Sequence, residues 1–240
     1  MEIRLRHNPS FAVARLYLQP NEPVKVEGGA MVAHSPGVQL SASTDGGILK
    51  GLKRAMLSGE SFFVTTYTAP PQGGWVDVAG VLPGDIMPLA LTPERPFFVT
   101  RGSWLANSYG TEMTSKWGGA QNLFGGEGGF GLQATGNGLV VLSVYGALDI
   151  IDLAPNEQVT IDSGHVVAYD LGMRFNLRRA VAGRTFQSVA SGEGLVFDFV
   201  GPGRLFLQTR NPSAFAAYVQ SLIPPQTSGG GSHFSMSTST

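Results

Sequence analysis

Three glutamates stand in near-identical settings along this 240-residue chain. They are Glu60 in Ser58-Gly59-Glu60-Ser61-Phe62-Phe63, Glu127 in Gly125-Gly126-Glu127-Gly128-Gly129-Phe130, and Glu193 in Ser191-Gly192-Glu193-Gly194-Leu195. Like carboxylates related by a repeat have two chemical uses. Gathered around an axis, they form a ligand site for a cation or an amine. Kept apart, each accepts backbone N–H bonds at its own tight glycine corner. The glycine that precedes each glutamate favours the second use, because positive φ is nearly free for glycine and costly for other residues.

Three further residues are candidates for partner contact. Lys53-Arg54 is one of two adjacent basic pairs in the chain, the other being Arg178-Arg179. Trp117, in Ser115-Lys116-Trp117-Gly118-Gly119, reads as an exposed aromatic suited to a subunit contact.

Other apparent motifs lack the context their chemistry needs. Gly126-x-Gly128-x-x-Gly131 has the spacing of a dinucleotide fingerprint, which needs a helix N-terminus after it to hold a pyrophosphate. The next residues, Leu132 to Gly138, read as strand then turn. Gly46-Gly47-Ile48-Leu49-Lys50-Gly51-Leu52-Lys53 lacks the Gly-Lys-Ser/Thr of a phosphate loop. The four histidines, His7, His34, His165 and His233, have no metal-ligand spacing, and no Gly-x-Ser-x-Gly elbow occurs. The absence of cysteine removes disulfides, thiolate nucleophiles and thiolate metal sites together. These residues predict a non-enzymatic protein with no cofactor and no metal.

The elements that position the candidates come in repeats. Leu18-Gln19-Pro20-Asn21-Glu22-Pro23-Val24-Lys25-Val26, continuing to Gly29 and Val32-Ala33, aligns without a gap on Leu153-Ala154-Pro155-Asn156-Glu157-Gln158-Val159-Thr160-Ile161, continuing to Gly164 and Val167-Ala168. A weaker third copy runs Leu91-Thr92-Pro93, Val99, Gly102, Leu105-Ala106. The Gly-Glu corner comes later in each copy, then a turn and another apolar run. The period-2 alternation of Val24-Lys25-Val26 and Val159-Thr160-Ile161 marks strands with one wet face. The continuous apolar runs after each corner mark strands covered on both faces and joined as hairpins.

The expected fold is all-β: three pseudo-repeated β units, about residues 10–85, 86–148 and 149–210, packed around a pseudo-threefold axis in one compact β-sandwich or barrel-like domain spanning residues 1–225. Asn211, Pro212 and the stripe Phe215, Tyr218, Val219, Leu222 predict one packing helix over 212–223, ended by Pro224-Pro225. Residues 226–240 read as a flexible tail.

Charged residues are 14% of the chain and the net charge is -1, which predicts no nucleic-acid partner. No apolar run reaches membrane-spanning length. The charged start Met1-Glu2-Ile3-Arg4-Leu5-Arg6 resembles no signal peptide, so the expected location is cytoplasmic.

Several of these motifs together resemble one family. They are Gly46-Gly47 with Gly51-Leu52-Lys53-Arg54 and Ser58-Gly59-Glu60-Ser61-Phe62, Phe124-Gly125-Gly126-Glu127-Gly128, Asp162-x-Gly164-His165-Val166-Val167-Ala168, and Gly201-Pro202-Gly203-Arg204-Leu205-Phe206-Leu207-Gln208-Thr209-Arg210. The chain resembles, over about residues 10 to 222, the family of bacterial proteins and of the yeast mitochondrial-biogenesis protein "altered inheritance of mitochondria twenty-four". The resemblance implies a β-rich fold with features like the tryptophan attenuation protein, no established catalytic residues, and a scaffold role from the mitochondrial member's link to inner-membrane organisation. The lack of a presequence makes a bacterial-type member the expectation. RNA binding does not follow from the fold likeness, because the chain shows no basic ring. The functional expectation is a self-assembling homo-oligomeric scaffold or interaction protein, open to an unknown protein partner. The alternative is a small-ligand or metal sensor with a pocket at the pseudo-axis or a subunit junction.

Overall fold

The computed structural model describes residues 1–43, 64–114, 131–180 and 195–223. An N-terminal strand, β1 (Glu2–Arg6), precedes three runs of six strands. The first run is β2 (Val13–Leu18), β3 (Pro23–Glu27), β4 (Met31–His34), β5 (Gln39–Ser43), β6 (Val64–Thr68) and β7 (Gly74–Val78). The second is β8 (Gly84–Leu91), β9 (Phe97–Thr100), β10 (Trp104–Ser108), β11 (Thr111–Thr114), β12 (Gly131–Gly136) and β13 (Gly138–Tyr145). The third is β14 (Leu148–Leu153), β15 (Gln158–Asp162), β16 (Val166–Asp170), β17 (Arg174–Arg179), β18 (Leu195–Val200) and β19 (Gly203–Gln208). A helix, α1 (Pro212–Ser221), closes the described chain.

The same pairing recurs in every run. The last strand lies between the first and the third, as β7 does between β2 and β4. The fifth lies between the second and the fourth, as β6 does between β3 and β5. Each run therefore supplies two antiparallel half-sheets. Neighbouring runs fuse half-sheets, the second strand of one pairing with the third strand of the next: β3 with β10, and β9 with β16. Four sheets result, ordered β1-β2-β7-β4, β5-β6-β3-β10-β13-β8, β11-β12-β9-β16-β19-β14 and β15-β18-β17.

The expected hairpins after the glycine corners are corrected by this topology. β6 and β7, β12 and β13, and β18 and β19 are consecutive, yet the members of each pair lie in different sheets. Alternating apolar residues report which face is wet, and carry no information on which strand is the neighbour.

Strand patterning explains where the cores sit. In β2, Ala14, Leu16 and Leu18 alternate inward and are almost fully buried. β13 buries Val140, Val141, Leu142 and Val144, with Val141 in the core of the first run and Leu142 in that of the second. A central strand shared between two cores needs such a continuous apolar run. A third core, around Phe197, Phe199 and Tyr169, fills the last run.

The third strand of each run carries a β-bulge at one repeated place. Register shifts fall between Met31 and Ala33, Trp104 and Ala106, and Val166 and Ala168. The bulge residue is thus Val32, Leu105 or Val167, the apolar residue before the repeat's alanine. The bulge re-aims the side chains. Trp104 enters its own run's core, while Leu105 and Ala106 enter the core of the preceding run.

One glycine sets a packing limit. A Cβ on Gly84, the first residue of β8, would fall on the Val144 carbonyl oxygen of the paired strand. Backbone cannot rotate away, so Gly84→Ala is expected to cost about 1–3 kcal/mol in urea unfolding. Gly102→Ala, where a Cβ meets nothing within 4 Å, is expected to stay within about 0.5 kcal/mol of the parent. Equal midpoints for the two variants would refute the steric argument.

Candidate functional site

The six residues singled out from sequence, Glu60, Glu127, Glu193, Lys53, Arg54 and Trp117, lie outside the described residues. Gly126 and Gly128 do too, whereas Gly131 begins β12 against the Phe98 ring. The described part instead offers a cavity, an ion cluster and the edge strands β4 and β15 at the two ends of the series that joins one run to the next.

The cavity, about 590 Å³, is bounded by connections from all three runs. Glu27 comes from the end of β3, Thr100, Gly102 and Ser103 from the junction of β9 and β10, and Ser163 and Gly164 from the link between β15 and β16. α1 forms one wall through Pro212, Phe215 and Ala216, with Phe215 set edge-on to Tyr145 at 5.9 Å between ring centroids.

Local hydrogen bonds fix these walls. The Gln208 amide donates to the Gly164 carbonyl at 2.8 Å and its oxygen accepts from the Tyr145 N–H at 3.1 Å. The Asp162 carboxylate accepts from the Gly164 N–H at 2.8 Å. Asn211 Oδ1 accepts from the N–H groups of Ser213 and Ala214, at 2.9 and 3.3 Å, and so starts α1 beside the cavity as its sequence predicts. His165 Nδ1 lies 2.7 Å from the Gln208 carbonyl, a structural role for that ring. The walls are hydroxyls, amides and apolar carbon, and Glu27 is the charged side chain among the described lining residues. That chemistry suits a small, partly apolar molecule with hydrogen-bonding groups.

The ion cluster lies on the first sheet. Asp77, buried on β7, accepts from Arg15 at 2.8 Å through both carboxylate oxygens and from Arg6 at 2.7 Å. Arg15 also stacks on Trp75, 3.7 Å from the ring centroid. The carboxylate is matched within the chain, so the cluster fastens β1, β2 and β7 together.

α1 differs from the expected packing helix. Its stripe is largely uncovered, with Tyr218 61% and Leu222 64% exposed. Among the described residues, no helix is long and apolar enough to cross a membrane.

Sequence reasoning missed the cavity because Glu27, Thr100 and Gln208 are far apart in the chain. It missed the open edges although the repeat alignment held the signal: Val32, Leu105 and Val167 occupy one aligned position.

Known proteins are similar to this chain in sequence and in fold. The chain is 28% identical over 235 residues to an uncharacterized protein of Streptococcus pyogenes serotype M6, covering 93% of this chain and 92% of that protein. Its fold matches the crystal structure of protein SPYM3_0169 from Streptococcus pyogenes with a TM-score of 0.76 at 25% identity, over 92% of this chain and 99% of that one. The pattern described as Mitochondrial biogenesis AIM24 matches residues 3–210. Since that stretch runs through all three six-strand runs, the chain belongs to the Mitochondrial biogenesis AIM24 family.

Proposed function

We propose that the protein is a non-enzymatic, self-assembling scaffold. The observation that carries this reading is apolar surface left uncovered near the chain's end. Among the described residues, α1 exposes Tyr218, the two residues after the helix, Leu222 and Ile223, are exposed as well, and Val159, Ile161, Phe175 and Leu177 are only partly buried against the last core. Apolar patches of this kind on a folded chain mark contact surfaces. Three repeated units about a pseudo-threefold axis, with the seam between the first and third units left open, are supported by the convergence of equivalent links from the three runs on one cavity. Size-exclusion chromatography with light scattering tests the reading. A mass at a multiple of 25.3 kDa is expected, and a strict monomer at all concentrations would overturn it.

A second reading, a small-ligand sensor, rests on the cavity itself. Thermal melting against a panel of uncharged metabolites is expected to reveal a stabilising ligand whose effect is lost in Ala216→Trp, which fills the space. No shift with any compound would count against it.

A further inference from the structure

We infer that β4 of one chain pairs with β15 of a second copy, completing a six-stranded sheet of the kind found twice within the chain. This inference rests on the self-assembly reading and names its contact. Within the chain, the second strand of each run pairs with the third strand of the next, through Ala106 opposite Val26 and Ala168 opposite Val99. Among the described strands, the last run's second strand, β15, and the first run's third strand, β4, are the two members of this series left at sheet edges. Extending the register sets Ala33 opposite Ile161 and His34 opposite Thr160.

Burial supports the match. The bulge residues Leu105 and Val167 are 1% and 0% exposed because each inserts into a core, whereas Val32 at the aligned position is 58% exposed. On the facing strand, Val26 and Val99 are fully buried, whereas Ile161 is half-buried over the partly closed last core. A second copy presents the missing residue to that core.

Edge chemistry supports it too. Exposed edges are usually blunted by charge or proline. Of the other edges, β1 carries Glu2, Arg4 and Arg6, β8 carries Pro88, β11 carries Glu112, β14 carries Asp149 and Asp152, and β17 carries Arg174, Arg178 and Arg179, while β5 is uncharged like β4 but lies outside the series that joins one run to the next. β4 has no Lys, Arg, Asp, Glu or Pro, and the single charge in β15 is its terminal Asp162. The contact is confined to the β4 rim, because on β7 Asp77 and its arginines replace the Val141 and Phe206 of the later runs. It joins two different surfaces, so it builds closed cycles or open filaments.

Ala33→Cys and Ile161→Cys, made separately in this cysteine-free chain and mixed under oxidising conditions, are expected to give a cross-linked dimer that neither variant gives alone. His34→Cys with Thr160→Cys repeats the test on the other sheet face, in case the Ile161 variant fails to fold. Val32→Lys, at an exposed position, is expected to reduce the mass to that of one chain with an unchanged circular dichroism spectrum. A multimeric parent with no mixed cross-link in either pair, and an undiminished mass for Val32→Lys, overturns the inference and leaves self-assembly standing. A monomeric parent overturns both. Cross-linking within one chain of the Ala33→Cys, Ile161→Cys double variant also overturns the inference.

Discussion

Trp104→Ala is expected to cost about 3–5 kcal/mol of stability in urea unfolding, the range for deleting a large buried aromatic. Trp104 is fully buried, in the core that also holds Leu91, Phe97, Val99, Leu142 and Phe206. It opens β10, one residue before the bulge, and the next two residues point into a different core. Its loss therefore leaves a cavity beside the strand that joins the first two runs. The surroundings are themselves buried strands with paired backbones, so they collapse little into the space. The unfolding slope should hold while the midpoint falls. A cost below about 1.5 kcal/mol would mean that this core relaxes freely, contrary to a rigid shared strand.

That shared strand shows what the sequence made legible and what it hid. The all-β character and the short C-terminal helix follow from alternation in Val24-Lys25-Val26 and from the Asn211-Pro212 start. The repeated Pro-Asn-Glu is legible as chemistry as well. Asn21 and Asn156 adopt positive φ, 59° and 66°, and the carboxylates of Glu22 and Glu157 accept the N–H groups of Gln19 and Ala154, each at 2.8 Å. Asparagine tolerates that conformation better than most residues, and a nearby carboxylate satisfies the turn's donor. Strand partners were hidden. The residues of β12 and β13 read as a hairpin because they are consecutive and apolar, yet a half-sheet assembled from strands one, three and six obeys the same alternation. α1 was hidden in another way: 3- and 4-residue spacing defines an apolar face and does not say whether anything covers it. The cavity depends on three links that only the folded topology brings together. Apart from Glu27 and Tyr145, its polar residues are Thr, Ser, Gln and Asn, types found in every turn, so composition could not mark them.

Asp77→Asn is expected to cost about 2–3 kcal/mol at neutral pH, less than the roughly 3–5 kcal/mol for breaking a fully buried pair, because the Arg6 and Arg15 side chains are 43% and 24% exposed and water shares their charge. The substitution keeps the shape and removes the negative charge that two arginines face. Burial is the largest single influence on the Asp77 carboxyl and raises its pKa, but the hydrogen bonds and charges of Arg15 and Arg6 together outweigh it, so the group titrates below the usual carboxylate range. A folded-state pKa below the unfolded value of about 3.9 means that the folded protein holds the deprotonated form more tightly. The stabilisation is then complete above about pH 4 and fades as pH falls toward the folded-state value. The gap in unfolding free energy between parent and Asp77→Asn should accordingly be flat from neutral pH down to about 5 and narrow below about 4. A gap that persists unchanged at about pH 3 would assign the cost to lost hydrogen-bond geometry rather than to charge. The location gives the result a wider meaning. Asp77 pairs across from Ala33, and the aligned residues of the later runs, Val141 opposite Ala106 and Phe206 opposite Ala168, are apolar and buried beneath a neighbouring half-sheet. The first run has no preceding run to cover that place. A self-satisfied ion cluster there covers β7 with two part-exposed arginines, which meet the water, while the adjoining β4 edge stays open.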